Sequence, residues 1–302
     1  MIKARAWLNA ARLRTLPLSV SGILMGAAIA NFYGYSDNTV LLLALLTTIG
    51  FQITSNFAND YGDGVKGTDN EDRIGPTRAL QGGHLQRGEL KKGIIICALL
   101  SFLLAAALLY FAFRTGPVWH ILLFGILGLA SIWASIAYTV GENAYGYKGL
   151  GDLFVFCFFG LLSVLGSMFL FTKFLTPGSL LAAISIGLLS TAVLNLNNLR
   201  DYDSDRKAGK NTLVVTLGIP NGKKYHFYLL ITAFGAMLAF SLLHYRGPGT
   251  FLCLLAFVPV FIHIRKVKQI REAPEFDPEL KKVALSTFLL ALICYLQFNY
   301  FL

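Results

Sequence analysis

Nine stretches of this chain are apolar over roughly the length that a helix needs to cross a bilayer. They are Leu16–Gly34, Thr39–Asn59, Gly93–Phe113, Trp119–Tyr138, Leu150–Phe171, Ser179–Asn198, Tyr225–His244, Thr250–Ile264 and Val283–Leu302. A hydrocarbon core takes about 20 mostly apolar residues to span as a helix. The eighth stretch is short and holds Pro259. None alternates apolar and polar residues, as the strands of a membrane β-barrel must. The expectation is an all-α membrane bundle of nine helices, one domain over residues 1–302. Composition agrees, with 55% hydrophobic and 14% charged residues, where a soluble domain carries about 25% charged. So few charges argue against a disordered chain, a coiled coil or a nucleic-acid partner, although the net charge is +10. The start of the chain reads as a retained first span rather than a cleaved signal peptide. Cys97, Cys157, Cys253 and Cys294 lie inside apolar runs without a CxxC pair, so they read as small buried hydrophobes.

The cations order the spans. With nine crossings, 23 of the 26 Lys and Arg fall on the side of the N-terminus and only Arg114, Lys173 and Arg246 on the other. The positive-inside rule then predicts a cytoplasmic N-terminus and an external C-terminus. Two inner loops are long, about Asp60–Lys92 and Leu199–Lys224. Long loops in a compact chain usually carry function.

Each long loop starts with a similar constellation. One reads Asn56-Phe-Ala-Asn59-Asp60-Tyr-Gly-Asp63, the other Asn197-Asn198-Leu-Arg200-Asp201-Tyr202-Asp203-Ser204-Asp205. Helical spacing predicts Asn56, Asp60 and Asp63 on one face, and Asn197, Asp201 and Asp205 on one face, with Asp203 turned away. Carboxylates at a membrane helix end are costly unless paired, hydrated or bound to metal. Oxygen donors of this kind suit Mg²⁺, which is held by a few carboxylates together with substrate phosphates. The two clusters sit four spans apart, so they face one side of the membrane, as in a tandem four-helix duplication with one added helix. An inverted-repeat transporter places its sites near the midplane instead. Lys66, Arg73 and Arg78 follow the first cluster, and Arg206, Lys207 and Lys210 the second. Cations beside carboxylates are what a metal-bound diphosphate requires.

At these residues the sequence resembles the UbiA superfamily of intramembrane aromatic prenyltransferases. Asn59-Asp60-Tyr61-Gly62-Asp63 is similar to the first half of the family's NDxxDxxxD motif, and Asp201 to Leu213 is similar to its DxxxD motif with the trailing K-A-G-K-x-T-L. Asn59–Asp69, Asp72–Gly83 and Gly149–Gly160 look most like the menaquinone branch. The last Asp of the first motif would fall on Gly67, and Asp69 is the candidate substitute. The resemblance implies catalytic Asp60, Asp63, Asp201 and Asp205. It implies a Mg²⁺ site among those four and Asn56, Asn59, Asp69 and Asn197. It implies diphosphate contacts from Lys66, Arg73, Arg78, Lys148, Arg206, Lys207 and Lys210, with Tyr145 beside them. The implied partners are a polyprenyl diphosphate, 1,4-dihydroxy-2-naphthoate and the lipid of a bacterial cytoplasmic (inner) membrane.

The implied reaction is electrophilic alkylation. The allylic diphosphate ionises, the electron-rich ring attacks the cation, and CO₂ leaves the alkylated carbon. A dry apolar chamber would keep water from the cation, and Phe154–Phe159 is a candidate wall. Three other readings stay open: a sister enzyme acting on hydroxybenzoate or homogentisate, a cation-coupled transporter, and a lipid-binding scaffold. Gly22-x3-Gly26 is a helix-packing candidate.

Overall fold

The computed structural model describes residues 2–67, 77–142 and 144–301. Among these, nine helices are long and apolar enough to cross a membrane: α1 (Lys3–Phe32), α2 (Asn38–Lys66), α3 (Arg87–Phe113), α4 (Val118–Ala137), α5 (Gly151–Thr172), α6 (Pro177–Arg200), α7 (Ile219–Leu243), α8 (Pro248–Gln269) and α9 (Ala273–Tyr300). Each overlaps one of the nine apolar stretches, and no strand occurs among the described residues. α2 and α6 run on past the apolar residues, to Lys66 and Arg200. Polar residues there continue the backbone hydrogen bonding after the hydrophobic pattern has ended.

α1 bends at Arg12, whose backbone is left-handed (φ 50°, ψ 56°). A side chain beyond Gly is costly in that region. Local bonds hold the bend. Thr15 donates through N and Oγ1 to the Arg12 carbonyl at 2.8 and 2.9 Å. Asn56 Nδ2 reaches the Ala11 carbonyl at 2.8 Å. Upstream of the bend, Ala6, Ala10 and Ala11 are buried, and Trp7 meets Phe57 of α2 edge to face at 5.1 Å.

Small residues set the helix spacing. Lipid tails give no hydrophobic drive between helices, so close backbone approach supplies the packing energy. A Cβ on Gly26 would lie 2.5 Å from the Val164 carbonyl, which locks α1 against α5 and confirms the Gly22–Gly26 expectation. A Cβ on Gly160 would lie 2.5 Å from Gly187 Cα, which locks α5 against α6. α2 packs along α3 as α6 packs along α7, and α9 covers both α1 and α6. Glu279 of α9 is buried, accepting from His263 Nδ1 of α8 at 2.7 Å and from Lys282 at 2.6 Å, while His263 meets His226 of α7 at 2.8 Å.

Two irregularities shape the interior. α5 widens into a π-type turn over Phe156–Leu162, a feature often found at functional sites. α8 starts as a tight 3₁₀ helix over Pro248–Phe257 and becomes α-helical at Val258. Pro259 falls in that first α-turn, where its missing N–H leaves no bond unmade.

Candidate active site

A cavity of about 1290 Å³ opens near the C-terminal ends of α2 and α6 and runs between α1, α2, α4 and α5. Its polar end carries Asn59, Asp60, Asp63, Asn197, Arg200 and Lys210. Its walls are apolar, with Phe124, Phe154, Phe158, Phe159 and Leu162 among them. The π-type turn of α5 therefore delivers the aromatic wall that the sequence suggested. The lining reaches Ala44 of α2, sixteen residues from Asp60, a depth of about 24 Å at 1.5 Å per residue.

The first cluster lies on one unbroken helix. Asn56, Asp60 and Asp63 are all buried on α2. Their neighbours differ. Asn56 also contacts Thr15 Oγ1 at 3.2 Å and accepts from Gln52 at 3.2 Å, so it braces the bend of α1. Asp60 accepts the backbone N–H groups of Ala79 (3.1 Å) and Leu80 (3.4 Å), pinning the following loop. Asp63 accepts the Tyr147 hydroxyl at 2.8 Å. Asn59 Oδ1 accepts from Thr139 at 3.2 Å.

The second cluster is split. α6 ends at Arg200, Asp201 breaks the helix, and a separate short helix runs Tyr202–Lys207. The helix is therefore interrupted at Asp201, although Asp201 N still donates to the Asn197 carbonyl at 3.0 Å and Asp205 N to the Asp201 carbonyl at 2.8 Å, the spacing expected for the three residues. Arg200, 1% exposed on its side chain, donates to both carboxylate oxygens of Asp201, through Nε at 2.8 Å and Nη2 at 2.7 Å. It also donates to Asn197 Oδ1 at 2.7 Å and to Asp277 Oδ1 of α9 at 2.6 Å. Asp203 is exposed, as expected.

Lys210 joins the halves. It is 8% exposed, and its ammonium lies 3.6 Å from Asp205 Oδ1. Burial would lower its pKa, but the carboxylates of Asp63 and Asp205 together raise it well above the ordinary lysine value. Asp205 is pushed up to about 6 by burial; Lys210 opposes the rise, and Asp201 and Asp63 add to it. Asp205 Oδ2 is buried without a hydrogen-bond partner among the described residues. That oxygen asks for a cation or water.

Several expected residues stand elsewhere. Lys66 lies 4.0 Å over the Tyr147 ring. Arg78 lines the cavity, while Lys148, Arg206 and Lys207 are exposed. Asp69 and Arg73 lie outside the described residues. Tyr145 does not face the carboxylates. It stacks on Phe154 at 3.9 Å and donates to the Ala134 carbonyl at 2.7 Å, so it belongs to the chamber wall. Among the described residues no group of three or more His, Cys, Asp or Glu is arranged around a metal position. Asp60 and Asp201 hold protein donors on both oxygens, whereas Asp63 accepts the Tyr147 hydroxyl on Oδ1 and Asp205 meets Lys210 on Oδ1. Two carboxylates with substrate phosphates are a common Mg²⁺ set. Sequence reasoning missed Arg200, Asp277 and Tyr147, whose partners are remote or adjacent in sequence and follow no helical spacing.

The UbiA prenyltransferase family model matches residues 19–296. The chain is 43% identical over 300 residues to a 1,4-dihydroxy-2-naphthoate octaprenyltransferase of Escherichia coli, covering 98% of this chain and 96% of the relative. A Mycobacterium tuberculosis protein of the same description is 34% identical, over 95% and 94% of the two chains. Among solved structures, a UbiA homolog from Archaeoglobus fulgidus bound to DMAPP and Mg²⁺ superposes with a TM-score of 0.63 at 16% identity, covering 96% of this chain and 99% of that one. A UbiA homolog from Aeropyrum pernix gives 0.67 at 14% identity, over 91% and 94%. With the family model covering most of its length and a relative 43% identical from end to end, the chain belongs to the UbiA prenyltransferase family.

Proposed function

We propose that this integral membrane protein transfers a polyprenyl group from an allylic polyprenyl diphosphate to 1,4-dihydroxy-2-naphthoate, releasing CO₂ and diphosphate, in menaquinone biosynthesis. Near-full-length identity of 43% to a dihydroxynaphthoate octaprenyltransferase carries the choice of acceptor. The cavity supports the chemistry, with paired charges at one end and aromatic walls beyond. The active-site loops face the cytoplasm of a bacterial inner membrane in this reading, because the cations gather there.

Asp63 and Asp205 would hold the metal, with Asn59 and Asn197 beside them. When bound, Mg²⁺ neutralises the diphosphate and makes it a better leaving group. Lys210 and Arg78, which line the cavity, and Lys66 beside Tyr147 would take the remaining phosphate charge. The allylic C–O bond breaks with its electron pair going to oxygen. The ring carbon that bears the carboxylate forms the new C–C bond, and the pair from the broken C–CO₂ bond restores the aromatic ring. No proton has to be removed from that carbon, so the site needs no general base for this step. Phe154, Phe158 and Phe159 exclude water and face the cation with π-electron density.

The test is the product formed by purified protein from a prenyl diphosphate, Mg²⁺ and each acceptor in turn. Mass spectrometry should find the decarboxylated prenyl naphthoquinol, and EDTA should stop its formation. Alkylation of 4-hydroxybenzoate alone would refute the assignment.

A further inference from the structure

Tyr147 sits where the two halves of the site meet. Its hydroxyl donates to Asp63 Oδ1 at 2.8 Å. Its ring lies 4.0 Å from the Lys66 ammonium and 5.5 Å from that of Lys210. Its carbonyl accepts the Asn211 N–H at 3.1 Å, next to Lys210. The loop that carries it is tightly fixed. Gly146 N donates to the Tyr138 carbonyl at 3.0 Å, and a Cβ on Gly146 would lie 2.6 Å from that oxygen. One side chain thus touches the last turn of α2 and the loop after α6.

From this we propose that Tyr147 is a positioning residue for the diphosphate site, a role that rests on the prenyl-transfer reading. A carboxylate at a helix end can rotate. One hydroxyl on Oδ1 fixes its plane and leaves Oδ2 for the metal. An aromatic face holds an ammonium by its quadrupole without cancelling its charge. A carboxylate in the same place would neutralise Lys66 and Lys210 and remove them from the phosphates. Tyr147 therefore orients the anionic donor and stations two cations while leaving their charge available. Groups that orient metal ligands in this way typically change metal affinity or activity by about 10–100-fold when removed.

The test compares Tyr147→Phe, which keeps the ring, with Tyr147→Leu, which loses both functions. Mn²⁺ binding to the purified protein with inorganic pyrophosphate, followed by electron paramagnetic resonance, reads the metal site without turnover. Tyr147→Phe should bind Mn²⁺ about 10–100-fold more weakly and unfold at the wild-type temperature. Its kcat should recover at raised Mg²⁺. Tyr147→Leu should also raise KM for the prenyl diphosphate. Combined with Asp63→Asn, Tyr147→Phe should add little further loss, because both act on one carboxylate. Wild-type Mn²⁺ affinity in Tyr147→Phe, a loss that multiplies fully with Asp63→Asn, or unfolding of the Phe variant would each overturn the proposal. Failure of the wild-type protein to prenylate the naphthoate would instead remove the functional reading, whatever Tyr147 does to Mn²⁺.

Discussion

The two halves of the site use similar residues in different ways. In the first half the acids ride on one continuous helix, and α2 is only 33% buried over its apolar window. In the second half the helix breaks at Asp201, and α6 is 72% buried. The cause is the ninth helix. α9 covers α6 and leaves α2 with no equivalent partner. Asp277 of α9 then draws Arg200 into the interior, and Arg200 takes Asp201 with it. The first half stays open to the cavity and loop, while the second is tied into the core. Chemistry and structure have been divided between the acids of each pair. Asp63 lines the cavity and Asp205 keeps an unpartnered oxygen beside Lys210 among the described residues, while Asp60, which also lines the cavity, and Asp201 hold the frame.

The sharpest test of that division is turnover. Asp63→Asn and Asp205→Asn should each lower kcat by about 10²–10³-fold, the scale for removing one preorganised electrostatic group, with near-wild-type unfolding temperatures. An Asp205 variant that retained turnover would mean that only the first half does chemistry, and the comparison would fail.

Stability should separate the other two acids. Asp201→Ala leaves Arg200 buried with only Asp277 to balance it, and breaking such a pair costs about 3–5 kcal/mol. Asp60→Ala strands two backbone N–H groups, at about 1–3 kcal/mol. Unfolding in detergent should rank Asp201→Ala below Asp60→Ala. The reverse order would show that the loop after α2, not the α6–α9 junction, carries the frame.

How much of this was legible follows from the same contrast. The nine spans were readable because each must be apolar to sit in lipid. Their inner ends were not, since the polar turns Asp60–Lys66 and Asn198–Arg200 stay helical outside the hydrocarbon pattern. Asp63, Asp205 and Lys210 were visible as residue types at suggestive spacing. Arg200 was not, because an arginine at an inner helix end reads as ordinary positive-inside bias. Its partner Asp277 lies 77 residues away. The pairing of Arg200 with Asp201 joins neighbours in sequence, and no helical periodicity announces it. Tyr147 was hidden by its neighbour Tyr145, which has the same chemistry on paper and packs into the wall instead.

Close packing should differ between the halves as well. Gly160→Ala drives a methyl against the Gly187 backbone at 2.5 Å. Backbone cannot step aside, and overpacking of this kind costs about 1–3 kcal/mol. Gly50→Ala, between α2 and α3, meets the Ser101 hydroxyl at 2.4 Å. A hydroxyl can rotate away, and the gain in helix propensity, about 1 kcal/mol, offsets the remainder. Thermal unfolding should find the first variant clearly destabilised and the second near neutral. Equal losses would show that the α2–α3 contact is as rigid as the α5–α6 contact.

The smallest effect belongs to the outermost link of the second half. Arg14 of the α1 bend approaches Asp277 Oδ2 at 3.8 Å, with side chains 51% and 41% exposed. Asp277 is already held by Arg200 on its other oxygen, so Arg14 is dispensable to the buried pair. Water and salt screen a contact of this kind, and exposed pairs contribute about 0–1 kcal/mol. Arg14→Ala should therefore shift the unfolding temperature little, and the shift should shrink further in high salt. A loss approaching that of Asp201→Ala would mean that the charge chain from Asp201 through Arg200 and Asp277 to Arg14 acts as one unit. The frame of the second half would then extend into α1 rather than end at α9.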